Sequence, residues 1–141
     1  MPIIQYWTGS SQMTFQIKRA YEPAERSDGM RILVDRLWPR GVKKTTLKLD
    51  RWIKEVAPTP QLRQWFGHKP ARFAEFSRRY RAELAANTAV AELRKLGERK
   101  TVTLIYAARD PAVNHALVLE SVLQRRPVRG MHRDIKKRET P

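Results

Sequence analysis

A stretch of seven residues, 35–41, combines side chains that suit the binding of an anion. Asp35, Arg36, Trp38 and Arg40 follow directly after the apolar run at 32–34. Arginine side chains bind phosphate or carboxylate groups in bidentate geometry. Asp35 adds a carboxylate that can carry a proton. This composition predicts a ligand-binding loop at the end of a buried strand, where binding sites are commonly built.

A second stretch with the same character follows the apolar run at 101–106. It contains Arg109, Asp110, Asn114 and His115. Asp110 followed by Pro111 predicts the start of a helix, and the free N–H groups at such a start favour an anion. Histidine is the side chain that ordinarily gains and loses a proton near neutrality, so His115 is a candidate proton carrier.

The elements that must position these residues alternate between strands and helices. Apolar patterning predicts strands at 14–18, 31–34 and 101–106. Apolar spacing and capping residues predict helices at 47–56, 60–66, 71–85, 89–96 and 111–124. Such alternation predicts an α/β fold: a single compact domain with a small, mainly parallel β-sheet flanked by α-helices.

If the strands that end at Val34 and Tyr106 are parallel, both loops open at the same edge of the sheet. In open α/β sheets that edge is where ligands bind. The sequence therefore predicts one site, with Asp35 and His115 as proton carriers and with Arg36, Arg40, Arg109 and Asn114 as ligand-binding residues.

Each of these residues also has a purely structural interpretation. Asp110 can serve as a helix cap alone, and Asp35 can form a structural pair with a neighbouring arginine. His115 can be a core residue of its helix. These alternatives stay open on the sequence alone.

Trp38 and His68 are further candidates for the ligand-binding set. Trp38 either walls the pocket or packs over the sheet edge, and packing is favoured. His68 follows the apolar pair Trp65 and Phe66, and it either closes over the edge or lies in an exposed turn. The three histidines show no metal-ligand spacing, so no metal is assigned. There is no phosphate-binding glycine loop of the dinucleotide or P-loop type, so the cofactor stays unknown.

Composition limits the class of protein. The 141 residues include no cysteine, which excludes disulfides, a thiolate nucleophile and cysteine-based zinc sites. No apolar run reaches the roughly 20 residues of a membrane helix, so we expect a cytoplasmic protein with no membrane contact. We expect residues 1–12 to be a flexible extension, 13–124 the domain, and 125–141 a basic, mobile tail; the oligomeric state is left open.

The net charge of +15 opens a second functional class. The segment after Leu123 carries +5 of this charge, which leaves +10 for the rest of the chain. A basic field of this size attracts polyanions, although it also keeps a protein soluble. The alternative function is therefore nucleic-acid binding through the basic surface and tail, with affinity that falls steeply as salt rises.

Several blocks of the sequence resemble the domain-of-unknown-function 488 (DUF488) family, in its short YeaO-like branch. The most distinctive is the run VDRLWPRG at 34–41; others lie at 17–19, 28–29, 57–58, 65–68 and 106–110, with Asn114 and His115. The resemblance covers about residues 15–123 and leaves out the basic tail. It implies a compact α/β protein, cytosolic in a prokaryote, with no established reaction.

The chain departs from the wider family at four positions. The resemblance implies cysteines where this chain has Tyr106 and Asn114, and an acid and an arginine where it has Ala108 and Ala116. Thiol chemistry is therefore absent here. The sequence favours a protein that binds a small anion carrying phosphate or carboxylate.

Overall fold

The computed structural model describes residues 14–125, so the predicted N-terminal extension and almost all of the predicted tail lie outside the described residues. Four strands form one sheet: β1 (Phe15–Arg19), β2 (Met30–Leu33), β3 (Arg51–Trp52) and β4 (Val102–Tyr106). Their order across the sheet is β1-β4-β2-β3, and every neighbouring pair is parallel. The predicted α/β class with a parallel sheet is confirmed.

Five α-helices accompany the sheet in the described part of the chain. They are α1 (Lys44–Leu47), α2 (Pro60–Phe66), α3 (Phe73–Ala85), α4 (Ala89–Arg99) and α5 (His115–Gln124). Three 3-10 turns lie at Arg26–Asp28, Lys54–Val56 and Pro70–Arg72. Short local signals explain some of these bounds. The Thr59 hydroxyl accepts a hydrogen bond from the Leu62 N–H at 3.3 Å, Pro60 begins α2, and Gly67 ends it, as predicted.

The two faces of the sheet are covered differently. Helices α2 to α5 pack their apolar side chains on one face, which forms the main core with Phe15, Ile32 and Leu104. On the other face, Leu33 and Ile105 pack with Leu47 and with the partly buried Trp38 in a smaller second core. A loop and the one-turn helix α1 therefore cover this face of the sheet, whereas longer helices cover the other face.

The predicted helix at 47–56 is wrong. Its apolar residues match helical spacing because the chain there passes between the two cores: Leu49 and Trp52 pack on the second core, whereas Ile53 and Val56 belong to the main one. Tertiary pairing with β2 decides the backbone, since the Ile53 N–H donates to the Leu33 carbonyl at 3.0 Å. The segment forms a short helix, a two-residue strand and a 3-10 turn instead.

Two predicted helix ends are also wrong. Helix α4 runs past Gly97 to Arg99, because Gly97 is packed against the buried Phe15 ring rather than used as a stop. Helix α5 begins at His115 and not at Pro111, because Asn114 is its cap: the Asn114 Oδ1 accepts from the Leu117 N–H at 3.0 Å. Asp110 instead holds the preceding turn by accepting from the Ala112 N–H at 2.8 Å.

A buried ion cluster ties the start of β2 to β1 and α1. The Asp28 carboxylate lies 2.6 Å from the Arg31 guanidinium and 2.9 Å from the Lys18 ammonium. Arg31 also donates two hydrogen bonds to the Leu47 carbonyl, at 3.0 and 2.7 Å. Each charge of the buried Asp28–Arg31 pair therefore has partners, which is the condition for keeping ions inside a fold.

Gly29 joins this cluster to β2, and its replacement by alanine should destabilise the protein. The Gly29 backbone has a φ of +65°, and a Cβ added there would lie 2.3 Å from the Thr101 carbonyl oxygen. Strain at positive φ together with the forced backbone shift should lower the free energy of unfolding by about 2–3 kcal/mol. Gly41→Ala is the matched control, since its φ is +78° and a Cβ there meets nothing within 4 Å. It should lose only about 1 kcal/mol; equal losses in urea denaturation would contradict this account.

Candidate functional site

The two predicted loops do open side by side at the carboxyl edge of the sheet. Strands β2 and β4 are parallel neighbours, with Leu33 opposite Ile105. The ladder continues past β2, because the Val34 N–H donates to the Ile105 carbonyl at 3.1 Å. The segments that follow, at 35–41 and 107–114, therefore share one edge.

Asp35 connects these two loops. Its Oδ2 accepts a hydrogen bond from the Ala107 N–H at 3.0 Å, and its Oδ1 lies 3.2 Å from His115 Nε2. Its backbone carbonyl accepts from the Trp52 indole N–H at 2.8 Å. The predicted alternative, a structural pair between Asp35 and a neighbouring arginine, is not what the geometry shows.

The orientation of His115 follows from its neighbours. Its Nε2 lies 3.2 Å from two acceptors, the Val34 carbonyl oxygen and the Asp35 carboxylate, and the hydrogen bond is directed at Val34. Two acceptors on one side favour the tautomer with the proton on Nε2, which leaves Nδ1 free of both acceptors. The side chains of His115 and Asp35 are 15% and 16% exposed, which leaves the pair partly open to solvent.

Arg36 lies on the other side of the same loop, with incomplete hydrogen bonding. Its Nη2 donates to the carbonyls of Ala57 and Pro58 at 3.4 and 3.2 Å. Among residues 14–125, two buried side-chain polar atoms have no hydrogen-bond partner: Arg36 Nε and Asp35 Oδ1. A buried polar atom without a partner costs about 1–3 kcal/mol, and both such atoms lie in consecutive residues of the predicted site.

Tyr80 and Glu83 of α3 border the site, and the sequence analysis did not include them. The Tyr80 ring stands edge-on to His115 at a centroid distance of 6.1 Å, and its hydroxyl donates to the Val56 carbonyl. Burial raises the pKa of Tyr80 well above its usual range, and the charges of Glu83 and Asp35 raise it further. The hydroxyl therefore stays neutral and acts as a fixed donor.

Glu83 anchors the segment that carries the Ala57 and Pro58 carbonyls. Its two carboxylate oxygens accept from the Thr59 N–H at 3.0 Å and the Thr59 hydroxyl at 2.7 Å. No short sequence motif identifies Tyr80 and Glu83 as site residues, since Tyr80 has the spacing of an ordinary core residue of its helix. Only the packing of α3 against α5 brings them to the site.

Arg40 and Arg109 lie exposed on the two loops, with no ion pair to the rest of the described chain. The Arg40 carbonyl accepts from the Tyr21 hydroxyl at 3.0 Å, and the Ala108 carbonyl accepts from Arg19 Nε at 2.9 Å. Both loops are thereby fixed to the end of β1. The two guanidinium groups are available to an anion at the edge.

Asn114 is placed for structure. It is buried, its Oδ1 caps α5, and its Nδ2 donates to the Asp110 carbonyl at 3.0 Å. Burial raises the pKa of Tyr106, and the Asn114 side chain offsets part of that rise. The two positions where the resemblance implies cysteines therefore lie next to each other behind the loop.

Trp38 and His68 do not join the cluster around His115. The Trp38 indole packs at a centroid distance of 5.6 Å from Trp52 and donates to the Val42 carbonyl at 2.7 Å, so it covers the second core. His68 is exposed in a turn with a φ of +58°, and its ring lies 5.9 Å from the Phe66 ring. Both positions agree with the packing and turn interpretations.

Residues 14–125 contain neither a cluster of metal-ligating side chains nor a membrane-spanning helix. No group of three or more histidine, cysteine, aspartate or glutamate side chains could hold a metal ion. Within the same range, no helix has the length and apolar character needed to cross a membrane.

Comparison with known proteins identifies relatives without a known activity. The sequence model of the family described as "Inactive DUF488-N3 subclade" matches residues 14–139. The uncharacterized protein YeaO of Escherichia coli (strain K12) is 48% identical over 113 residues, which are 79% of this chain and 98% of YeaO. The uncharacterized protein Rv3073c of Mycobacterium tuberculosis (strain ATCC 25618 / H37Rv) is 46% identical over 111 residues, 79% of this chain and 94% of that protein. No solved structure matches significantly.

The extent of the family match corrects one expectation. The motifs in the sequence predict a family region that ends near residue 123 and leaves the basic tail outside it. The match continues to residue 139, so most of the tail lies within the family region.

Proposed function

This chain belongs to the DUF488 family, in its YeaO-like, inactive DUF488-N3 subclade, and we propose that it binds a small anion carrying phosphate or carboxylate at the carboxyl edge of its sheet. The observation that carries the proposal is the buried Arg36 Nε, a donor without a hydrogen-bond partner in the residue that follows Asp35, whose carboxylate lies 3.2 Å from His115. As the resemblance implies, we place this activity in the cytoplasm.

The anion would bind between Arg36 and His115. The two Arg36 hydrogen bonds to backbone carbonyls are long, at 3.4 and 3.2 Å, so the guanidinium can turn from them at little cost. An anion oxygen that accepts from Arg36 Nε recovers the free energy that this buried donor now lacks. The exposed Arg40 and Arg109 add positive charge, and the N-terminal end of α5 favours an anion at His115.

Asp35 and His115 would act on the ligand's proton. Asp35 is held by the Ala107 N–H, and His115 keeps its Nε2 proton inward, so Nδ1 is the atom left for the ligand. Protonated Nδ1 donates to an anion oxygen, and neutral Nδ1 accepts from a ligand hydroxyl.

We propose binding rather than thiol catalysis. The chain has no cysteine, and buried Tyr106 and Asn114 occupy the positions where the resemblance implies cysteines. The name of the matching subclade, "Inactive DUF488-N3", points the same way. An arginine–histidine–aspartate cluster without a nucleophile suits recognition and proton exchange with a bound ligand.

Replacing Arg36 and His115 together by alanine should weaken anion binding by at least about tenfold, because each charge-assisted hydrogen bond contributes about 1.5–3 kcal/mol. Calorimetric titration with inorganic phosphate, pyrophosphate, citrate and AMP measures the effect. The matched control is Arg63→Ala with His68→Ala, which removes the same residue types from exposed positions on α2 and its turn.

The control should bind as the wild-type protein does. If no anion of the panel binds, or if both double variants keep the wild-type affinity, the proposal is wrong. Thermal unfolding of each variant confirms that the comparison is made between folded proteins.

A further inference from the structure

The loop that follows Asp35 carries five positively charged side chains and no negatively charged one. Residues 36–48, here named the basic loop, contain Arg36, Arg40, Lys43, Lys44 and Lys48, and no acidic residue occurs between Asp35 and Asp50. All but Arg36 are exposed. None of the four exposed cations forms an ion pair with another described residue, so their charge is not neutralised locally.

The basic loop is held firmly on the second face of the sheet. Trp38, Val42 and Leu47 anchor it in the second core, and the Trp38 indole hydrogen bond to the Val42 carbonyl closes the turn between them. The Leu47 carbonyl accepts two hydrogen bonds from buried Arg31. Because the backbone is fixed, a partner of these cations does not have to order the loop.

Two large apolar side chains lie exposed at the same edge. Within residues 14–125, the exposed large hydrophobic residues are Leu37, at 63%, and Tyr21, at 48%. Leu37 belongs to the basic loop, and the Tyr21 hydroxyl is bonded to the Arg40 carbonyl. The Arg19 guanidinium lies 5.0 Å from the Tyr21 ring centroid. An aromatic ring beside a cation, as at Tyr21, is a feature on which unpaired bases stack.

We infer that the basic loop binds single-stranded nucleic acid, with its phosphates on Arg40, Lys43, Lys44 and Lys48 and an unpaired base against Leu37 and Tyr21. The inference rests on the proposed function, since it identifies the anion at Arg36 and His115 as a phosphate of that strand. A strand supplies phosphates at regular spacing for several cations, which a free metabolite does not. A duplex keeps its bases stacked inside and leaves Leu37 and Tyr21 without a partner.

The test measures fluorescence anisotropy of a labelled oligonucleotide of about 12 nucleotides, with the full-length protein and increasing salt. Lys43→Gln, Lys44→Gln and Lys48→Gln together should reduce the slope of log affinity against log salt by about 2, since each phosphate contact on a single strand contributes about 0.7. At about 100 mM salt that corresponds to a roughly 100-fold loss of affinity.

The matched control removes the same charge from the end of helix α4 and the residue that follows it. Lys95, Arg99 and Lys100 are exposed at the end of α4, just before β4 begins. Their replacement by glutamine leaves the basic loop intact and should leave the slope near the wild-type value. An equal loss in both triple variants would mean that only net charge matters, which overturns the inference.

Further binding measurements distinguish this inference from the proposed function. The basic-loop triple variant should keep its AMP affinity within about twofold, whereas Arg36→Ala with His115→Ala should lose it. AMP binding without oligonucleotide binding overturns the inference and leaves the proposed function standing. Oligonucleotide binding that Arg36→Ala with His115→Ala leaves unchanged overturns the inference, because no phosphate of the strand then lies at that site. The proposed function is contradicted when the same double variant keeps the wild-type AMP affinity. Tighter binding to a duplex of the same sequence, or binding only to phosphatidylglycerol vesicles, also overturns the inference.

Discussion

Replacing Asp28 by asparagine should lower the free energy of unfolding by about 3–5 kcal/mol, because it breaks a buried ion pair from one side. Asp28 and Arg31 are almost completely buried and lie 2.6 Å apart. Without the carboxylate, the Arg31 charge keeps only the Leu47 carbonyl as a partner, and Lys18 keeps Glu25 and the Pro23 carbonyl. Urea denaturation of the two proteins at neutral pH measures the difference.

The same substitution should reduce the sensitivity of the fold to acid. Desolvation acts to raise the pKa of Asp28, but hydrogen bonds from Lys18, the Glu25 backbone and Arg31 together lower it below its usual range. A carboxyl whose pKa is lower in the folded state stabilises fully above its unfolded pKa, near 4, and this contribution is lost as pH falls through the folded pKa. The wild-type protein should lose this stability below about pH 4, and Asp28→Asn should show a shallower decline there.

Replacing both residues of the ion pair tests whether the loss of stability in Asp28→Asn comes from the stranded charge. Asp28→Leu together with Arg31→Met removes both charges and keeps side-chain volume, and such exchanges of buried ion pairs are often neutral or stabilising. The double variant should therefore be more stable than Asp28→Asn alone. A larger loss in the double variant would show that the pair itself, rather than the stranded charge, stabilises the fold.

Sequence patterns predicted the elements whose signals are local. The strand Val102–Tyr106 is buried along its whole length, and α2 has both its cap at Thr59 and its stop at Gly67. The segment at 47–56 was predicted wrongly because its apolar residues serve two cores, and no pattern within one segment reveals that. Gly97 likewise marks a close contact with Phe15 from the other end of the domain, not a helix end.

The site was predictable to the extent that it depends on strand ends. Asp35 is expected at this edge because it follows a buried strand, and His115 because it lies in the first turns of the helix after the neighbouring strand. In the structure, Asp35 Oδ1 and His115 Nε2 are 3.2 Å apart. Tyr80 and Glu83 were missed because they reach the site through the packing of α3 on α5, across about 30 residues of chain. Asn114 shows the opposite difficulty for sequence-based prediction: it is a polar residue beside the site, but its side chain serves as the cap of α5.

Phe76 connects the core to the site, so its replacement is the second substitution for which we expect a large effect. Phe76 stacks on Phe66 at a centroid distance of 4.2 Å and on Tyr80 at 5.6 Å, and the Tyr80 ring in turn contacts His115. Phe76→Ala should lower the free energy of unfolding by about 3–5 kcal/mol through the cavity that it leaves. The aromatic stack would then no longer hold Tyr80 firmly against the imidazole.

The consequence for His115 can be measured without any ligand. The ¹⁵N chemical shifts of its ring should report a proton fixed on Nε2 in the wild-type protein, since this nitrogen is hydrogen-bonded to the Val34 carbonyl and lies 3.2 Å from the Asp35 carboxylate. In Phe76→Ala they should move towards the averaged values of a free histidine. Leu93→Ala is the control: Leu93 is buried in α4, and its loss should cost about 2–5 kcal/mol. If Leu93→Ala changes the His115 ring signals as much as Phe76→Ala does, the effect is general loosening of the core. If only Phe76→Ala changes them, the aromatic stack of α2 and α3 positions the histidine, and the stability of the core and the chemistry of the site depend on the same side chains.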